Sequence, residues 1–413
     1  MFSSRAPAPR ALNRLWQMHA QLKAGGVEVA DLTESNPTRV GLRYPADLLA
    51  SLVSPAALVY EPASRGLPAA RQAVAASLGR LLGSPASRSA AAAGGCAEAA
   101  GPTRPVDPGR VVLTASTSEA YACLFKLLCD PGDRVLVPQP SYPLLEHLAR
   151  FEGVEPVAYP LVYDGAWAID IEALRSAAGA RTRTIVVVNP NNPTGSYLSR
   201  DDHCAVTALC RDRGLPIIVD EVFNRYPLDP LPDNARSVLD SPSDVLTFVL
   251  GGLSKAVGLP QVKLGWMVVD GPDAEVDAAL DALDILLDTY LSVSTPVQLA
   301  SARLLAAGAG VAAQIRSRVR TNHGTLARLV AEHPAADLLR AEGGWYAVIK
   351  VPATEAEEAL VLGLLEHDHV LVHPGYFFDF QREAFLVTSL LPDPARFEPA
   401  VRRMLRRAAG AVR

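Results

Sequence analysis

Residues 246–269 are apolar nearly throughout, yet a lysine, Lys255, sits near the middle of the run between Ser254 and Ala256. Residues 246–250 and 264–269 each have the length and continuous apolar character of a buried strand. An amine between two such strands is costly to desolvate unless it is used. The ordinary alternative is a lysine that keeps its head in water. Desolvation also lowers a lysine's pKa, which makes it a nucleophile.

Strand, polar turn and helix recur along the chain. Residues 110–113 predict a strand, 114–119 a polar turn and 120–128 a helix. Further strand-and-loop units lie in 133–143, 182–195, 214–226 and 246–255, with helices such as 201–213 between them. This alternation predicts an α/β fold, with a large domain built on a mostly parallel sheet covered by helices. Such sheets bind ligands outside the carboxyl ends of their strands. Asn192, Asp220 and Lys255 each fall at or just after a predicted strand end.

The ends of the chain read differently. A helix is predicted over 11–24, closed by Gly25 and Gly26, followed by the polar loop DLTESNPTRVGLRYP and, after a turn at Tyr60, a helix over 69–82. Residues 83–109 are rich in Ala, Gly, Ser and Pro; they cannot bury enough surface to offset chain entropy and read as a disordered insertion. Beyond 343, the segments GGWYAVIKV, VLVHPGYFF and AFLVTSL predict short strands before a terminal helix over 397–409, the marks of a smaller α+β domain. The expected division is 1–44 as an N-terminal arm and helix joining the small domain, 45–295 as the large domain, and 296–413 as the small C-terminal domain.

Composition narrows the function. With 49% hydrophobic residues, 20% charged residues and a net charge of −5, nothing points to nucleic acid or an anionic membrane. The five cysteines show no metal-ligand spacing, so no metal is expected and reduced thiols are the simpler reading. No apolar run reaches membrane-spanning length, and the N-terminus lacks a secretory apolar core; the expectation is a cytoplasmic protein.

The polar residues then suggest one chemistry. Ser116, Thr117 and Ser118 open a helix, where free N–H groups and the helix dipole favour a phosphate; a plain N-cap uses the same residues. Tyr142 offers a face for a flat ring, Asn192 a donor to a phenolic oxygen, Asp220 a carboxylate for a protonated ring nitrogen, and Lys255 an amine for an aldehyde. Together they describe a site for pyridoxal 5'-phosphate.

With NPNNPTG at 189–195, DEVF at 220–223 and SKAVGL at 254–259, the chain resembles the class I/II aminotransferases, which are fold-type I pyridoxal-phosphate enzymes. The resemblance runs from about residue 31 to the C-terminus, interrupted by 83–109. It implies that Lys255 forms the internal aldimine and moves protons, that Asp220 pairs with the pyridinium, and that Asn192 and Tyr142 hold the ring. It also implies that Ser116, Thr117, Ser118, Ser254 and Lys263 lie at the cofactor, and that Tyr60 reaches the partner subunit's phosphate in a homodimer. The implied reaction passes an amino group from an amino acid or amine donor to a 2-oxo acid acceptor. A β-eliminating, C–S lyase-like enzyme on the same scaffold is the alternative.

Several positions depart from the family pattern. Phe223 stands where tyrosine is usual, Gly252 where a serine commonly helps the phosphate, and Lys263 where arginine is usual. Val387 occupies the position of the arginine that clamps the substrate carboxylate. Losing a bidentate arginine costs binding unless another group replaces it. Arg39 and Arg65 are the candidate replacements, with Asn36 beside them and Arg382 a further possibility. The competing reading is a substrate with no carboxylate there. Trp345, Tyr346, Tyr376 and Phe377 are either core aromatics or part of the substrate side.

Overall fold

The computed structural model describes residues 2–3, 5–6, 13–82, 105–228 and 237–410. Most of the low-complexity stretch, 83–104, therefore lies outside the described residues, as does 11–12 of the first predicted helix. The described part of that helix is Arg14–Ala24, capped by the Asn13 side chain. Residues 105–109 lead through a 3-10 turn at Pro108–Arg110 into the first strand of the main sheet.

Eight strands form that sheet, in the spatial order Val111–Thr114, Gly265–Asp270, Thr247–Gly252, Ile217–Asp220, Thr182–Val188, Arg134–Gln139, Glu155–Tyr163, Trp167–Ile169. The five from Thr247–Gly252 to Glu155–Tyr163 are parallel to one another. Gly265–Asp270 runs antiparallel to both neighbours, and Trp167–Ile169 runs antiparallel to Glu155–Tyr163. This is the fold class expected from the sequence.

Successive strand residues point to opposite faces, and both faces are apolar. Ile217 and Val219 pack into one core with Leu113, Val187 and Trp266. Ile218 packs into another with Val112, Val186 and Phe125. Every residue of Thr247–Gly252 and Gly265–Asp270 is buried, which is why the sequence there is apolar but for Thr247 and Asp270 at one end.

A third core joins the ends of the chain. Leu15, Leu32 and Val40 pack with the helices Ala309–Ala331, Glu357–Asp368 and Pro394–Gly410 and with a four-stranded sheet that includes Tyr346–Lys350 and Phe385–Ser389. Phe223, Tyr226 and Leu228, from the loop after Ile217–Asp220, pack into this third core. That loop therefore connects the main sheet to the second sheet, and Lys255 lies where the two meet.

The hairpin-like pair Glu155–Tyr163 and Trp167–Ile169 was not among the expected strands. Its strand residues are mostly exposed or only partly buried, so it lacks the buried β-branched run that marks the others.

Candidate functional site

Register brings three polar strand ends together. Val188 and Leu250 lie opposite Asp220 on its two sides. The chain then leads from Val188 to Asn192 and from Leu250 to Lys255. The loop of Asn192 is braced: Asn191 donates from Nδ2 to the Pro140 carbonyl at 3.1 Å and to Thr194 Oγ1 at 2.9 Å. The first of these bonds ties it to the loop of Tyr142. Glu221 fixes the loop's base, accepting from Asn189 Nδ2 at 3.2 Å, Val238 N–H at 2.8 Å and Ser237 Oγ at 2.6 Å. Burial pushes the Glu221 carboxyl up to about 7.

Lys255 sits in the one-turn helix Leu253–Ala256, and its carbonyl accepts a hydrogen bond from Tyr226 Oη. Its Nζ lies 4.8 Å from the Trp345 ring centre and 5.4 Å from that of Phe223. The Trp345 ring meets Phe223 and Tyr226 edge-on. Desolvation lowers the Lys255 amine to about 8, partly opposed by the Asp220 charge. Asp220 is pushed up to about 6 by burial, against the hydrogen bonds from Val222 N–H and Tyr121 Oη and the charge of Lys255.

The hydroxyl-rich turn lies beside Lys255 because Gly265 pairs with Thr114 on one side and with Gly252 on the other. A Cβ at Gly265 would lie 2.7 Å from the Ser116 carbonyl carbon and 3.0 Å from Thr117 N, so this approach requires glycine. Ser116 caps the helix Thr117–Leu128, accepting from Glu119 N–H at 3.2 Å, while Glu119 Oε2 accepts from Ala115 N–H at 2.6 Å. Glu119 thus reaches back to the residue before the cap, one position beyond the usual capping-box partner. The N–H groups of Thr117 and Ser118 remain orphan by position, as at any helix start.

These residues fit the cofactor suggested by the sequence. A neutralisable amine, a buried carboxylate and a helix start converge, and the buried Asn192 Oδ1 has no hydrogen-bond partner. Turning that amide about its last torsion presents a donor at the same place. No cluster of metal-ligating side chains occurs among the described residues.

The other expected residues are distributed more widely. Tyr142 is 44% exposed and meets Phe378 at 6.3 Å. Ser254 adjoins Lys255 and is partly buried; Lys263 is exposed, with its backbone in the left-handed region at φ 61°. Tyr60 is 68% exposed. Asn36 caps the turn Pro37–Arg39, accepting from Thr38. Arg65 is held by Asp284, donating from Nε at 2.8 Å. Arg39 is exposed and lines an open groove of about 640 Å³ with Asp31, Glu34 and Arg403. Val387 is fully buried between Val348 and His373. Trp345 belongs to the surroundings of Lys255 and to the core at once.

Sequence reasoning missed Tyr121 and Tyr226. Tyr121 stands one helical turn after Thr117, on the same helix face, and that spacing was the available signal.

The fold is that of the aminotransferases, as comparison with known proteins shows. Residues 59–403 match the family model described as aminotransferase class I and II, so the chain belongs to that family. It is 26% identical over 398 residues to alanine aminotransferase of Mycobacterium tuberculosis, covering 94% of this chain and 87% of the relative. It is 27% identical over 302 residues to glutamate-pyruvate aminotransferase AlaA of Haemophilus influenzae, covering 72% and 74%. The solved alanine aminotransferase from Pyrococcus furiosus superposes with a TM-score of 0.83 at 25% identity, covering 98% of this chain and 99% of the other. The chain is accordingly a transaminase of the pyridoxal-phosphate-dependent kind, and the lyase alternative is not favoured.

Proposed function

We propose that this chain holds pyridoxal 5'-phosphate at Lys255 and transfers an amino group between an amino acid and a 2-oxo acid. The observation that carries the reading is the convergence of the Lys255 amine and the Asp220 carboxylate at adjacent strand ends. Thr117, Ser118, Ser254 and Lys263 would meet the phosphate, with Ser116 holding their helix start. Asn192 would meet the phenolic oxygen, Tyr142 the ring face and Asp220 the ring nitrogen. Phe223 lines the pocket without a hydroxyl.

When bound, the cofactor withdraws electrons from the substrate's Cα and so eases loss of a proton there. The protein supplies the proton's carrier. An amine lowered to about 8 exists as free base near neutral pH far more often than an ordinary lysine does, and that form can accept the proton and return it, as a general base and then a general acid. Phe223 and Trp345 shield the amine from water. Tyr226 fixes the backbone of Lys255 and hence the amine's reach. Asp220, ionised above about pH 6, favours a protonated ring nitrogen.

The donor and acceptor follow from the relatives' names: glutamate as donor with pyruvate as acceptor, and the reverse, alanine with 2-oxoglutarate, are the first pairs to test. Val387 leaves the substrate carboxylate to another group, with Arg39 and Arg65 the candidates. Arg65 would have to share its guanidinium with Asp284. A homodimer is part of the proposal, supported by the exposed apolar run of Leu58, Val59 and Tyr60. So is the division into 1–44, 45–295 and 296–413, and so is a cytoplasmic setting, which suits the absence of a disulfide at Cys123, Cys129 and Cys210.

A single-turnover experiment tests the reaction. Loaded protein mixed with alanine alone should release about one equivalent of pyruvate per subunit and no ammonia. Continuous release of ammonia with pyruvate from cysteine, whose β-thiol can leave as sulfide, would instead establish elimination chemistry.

A further inference from the structure

Asp220 has a partner that the sequence did not announce. Tyr121 lies in the helix Thr117–Leu128, is 2% exposed, and donates from Oη to Asp220 Oδ2 at 3.1 Å. The other carboxylate oxygen, Oδ1, accepts from Val222 N–H at 3.0 Å. One backbone donor and one side-chain donor therefore fix the plane of the carboxylate. The helix that carries Tyr121 is the one whose first turn faces Gly265 and the turn of Lys255. Its start and its second turn thus address opposite ends of a single site.

We propose that Tyr121 is a positioning residue that holds Asp220 aligned and ionised toward the ring nitrogen of the cofactor, an inference that rests on the cofactor reading given above. A buried carboxylate favours its neutral form, and a neutral carboxyl does not stabilise a protonated ring nitrogen. A hydroxyl that donates to the charged form opposes that tendency. Burial and the Asp220 charge hold the Tyr121 hydroxyl far above its ordinary range, so it stays a donor throughout the working pH range. Few other groups share the task. The flanking strand positions Val188 and Leu250 carry no ionisable side chain, and Lys255 is the remaining charge that acts on Asp220. Tyr159 acts on Tyr121 rather than on the carboxylate. The site has no hydroxyl at Phe223, and Tyr121 places one behind Asp220 instead.

Tyr121→Phe keeps the ring and removes the donor. The cofactor dissociation constant, read from quenching of intrinsic fluorescence when stripped protein is titrated, should rise on the order of 10-fold at pH 6.5, the weight of one hydrogen bond to a charged group. The loss should shrink at pH 8.5, and the acid limb of kcat/KM should move to higher pH. In an Asp220→Asn background, the same substitution should have no further effect on cofactor binding. The proposal is overturned by an acid limb and pH-dependent affinity that coincide with wild type, or by an equal loss with Asn at 220. A uniform loss at every pH, with a lowered Tm, would assign Tyr121 to packing alone and also overturn it. Tyr121→Leu serves as the packing control, because it removes ring and donor together. A wild-type protein that binds no cofactor would instead refute the reading of the site itself.

Discussion

The Lys255 amine and the Trp345 ring centre are 4.8 Å apart, and the Phe223 ring centre lies 5.4 Å from the same nitrogen. A ring face attracts an ammonium, but enclosure by two large apolar side chains removes its water, and here desolvation wins. Lys255 should therefore be the lysine most reactive to formaldehyde and borohydride in cofactor-free protein. Peptide mass spectrometry across a pH series should place the midpoint of its modification near 8. A midpoint above 10 would mean that the amine is solvated.

Burial of Asp220 has a cost that surfaces when no cofactor is present. Its folded pKa, about 6, lies above the ordinary 3.8, so the folded state holds a proton that the unfolded state has released between these values. Stability from this group falls as pH rises through that window. For Lys255 the folded value, about 8, lies below 10.5, so stability rises between pH 8 and 10.5. Asp220→Asn should stabilise the cofactor-free protein by about 1–2 kcal/mol at pH 7.5 and change little at pH 4. The same variant should lose activity by on the order of 100-fold or more at pH 7.5. Urea unfolding at both pH values, paired with initial rates, checks both halves.

Ser116 and its two neighbours should separate by role. Ser116→Ala removes a helix cap and should cost about 1 kcal/mol of stability. Thr117→Ala and Ser118→Ala should leave stability nearly unchanged and weaken cofactor binding several-fold each. Thermal unfolding of cofactor-free protein and fluorescence titration of cofactor distinguish the two effects. If Ser116→Ala alone weakened binding without lowering stability, its hydroxyl would serve the phosphate rather than the helix.

The main sheet was legible because its buried strands are continuous apolar runs ended by polar loops. Asn192, Asp220 and Lys255 were legible because each follows such a run. The edge pair Glu155–Tyr163 and Trp167–Ile169 was hidden by its mixed exposure. Tyr121 was hidden for another reason: its partner Asp220 is 99 residues away, and only the packing of the helix on the sheet brings them together. Arg65 shows the reverse problem. A basic residue near a predicted site loop suggested substrate binding, whereas Asp284, 219 residues later, meets its guanidinium.

The substrate carboxylate needs a partner other than Val387. If Arg39 serves, Arg39→Ala should raise KM for alanine by about 10-fold or more with little change in kcat, as loss of a charged hydrogen bond in binding does. Arg65→Ala should lower stability by up to about 1 kcal/mol through loss of the half-exposed Asp284 pair, whatever its effect on KM. Unchanged KM in both variants would remove both arginines from substrate recognition and favour a donor without a carboxylate at that position.

The central claim is that one amine, that of Lys255, holds the cofactor. Protein loaded with pyridoxal 5'-phosphate, reduced with borohydride and digested, should carry the added mass on the peptide that contains Lys255, and Lys255→Ala should carry none. Label on Lys263 or any other lysine, or no label on the wild-type protein, would contradict the account.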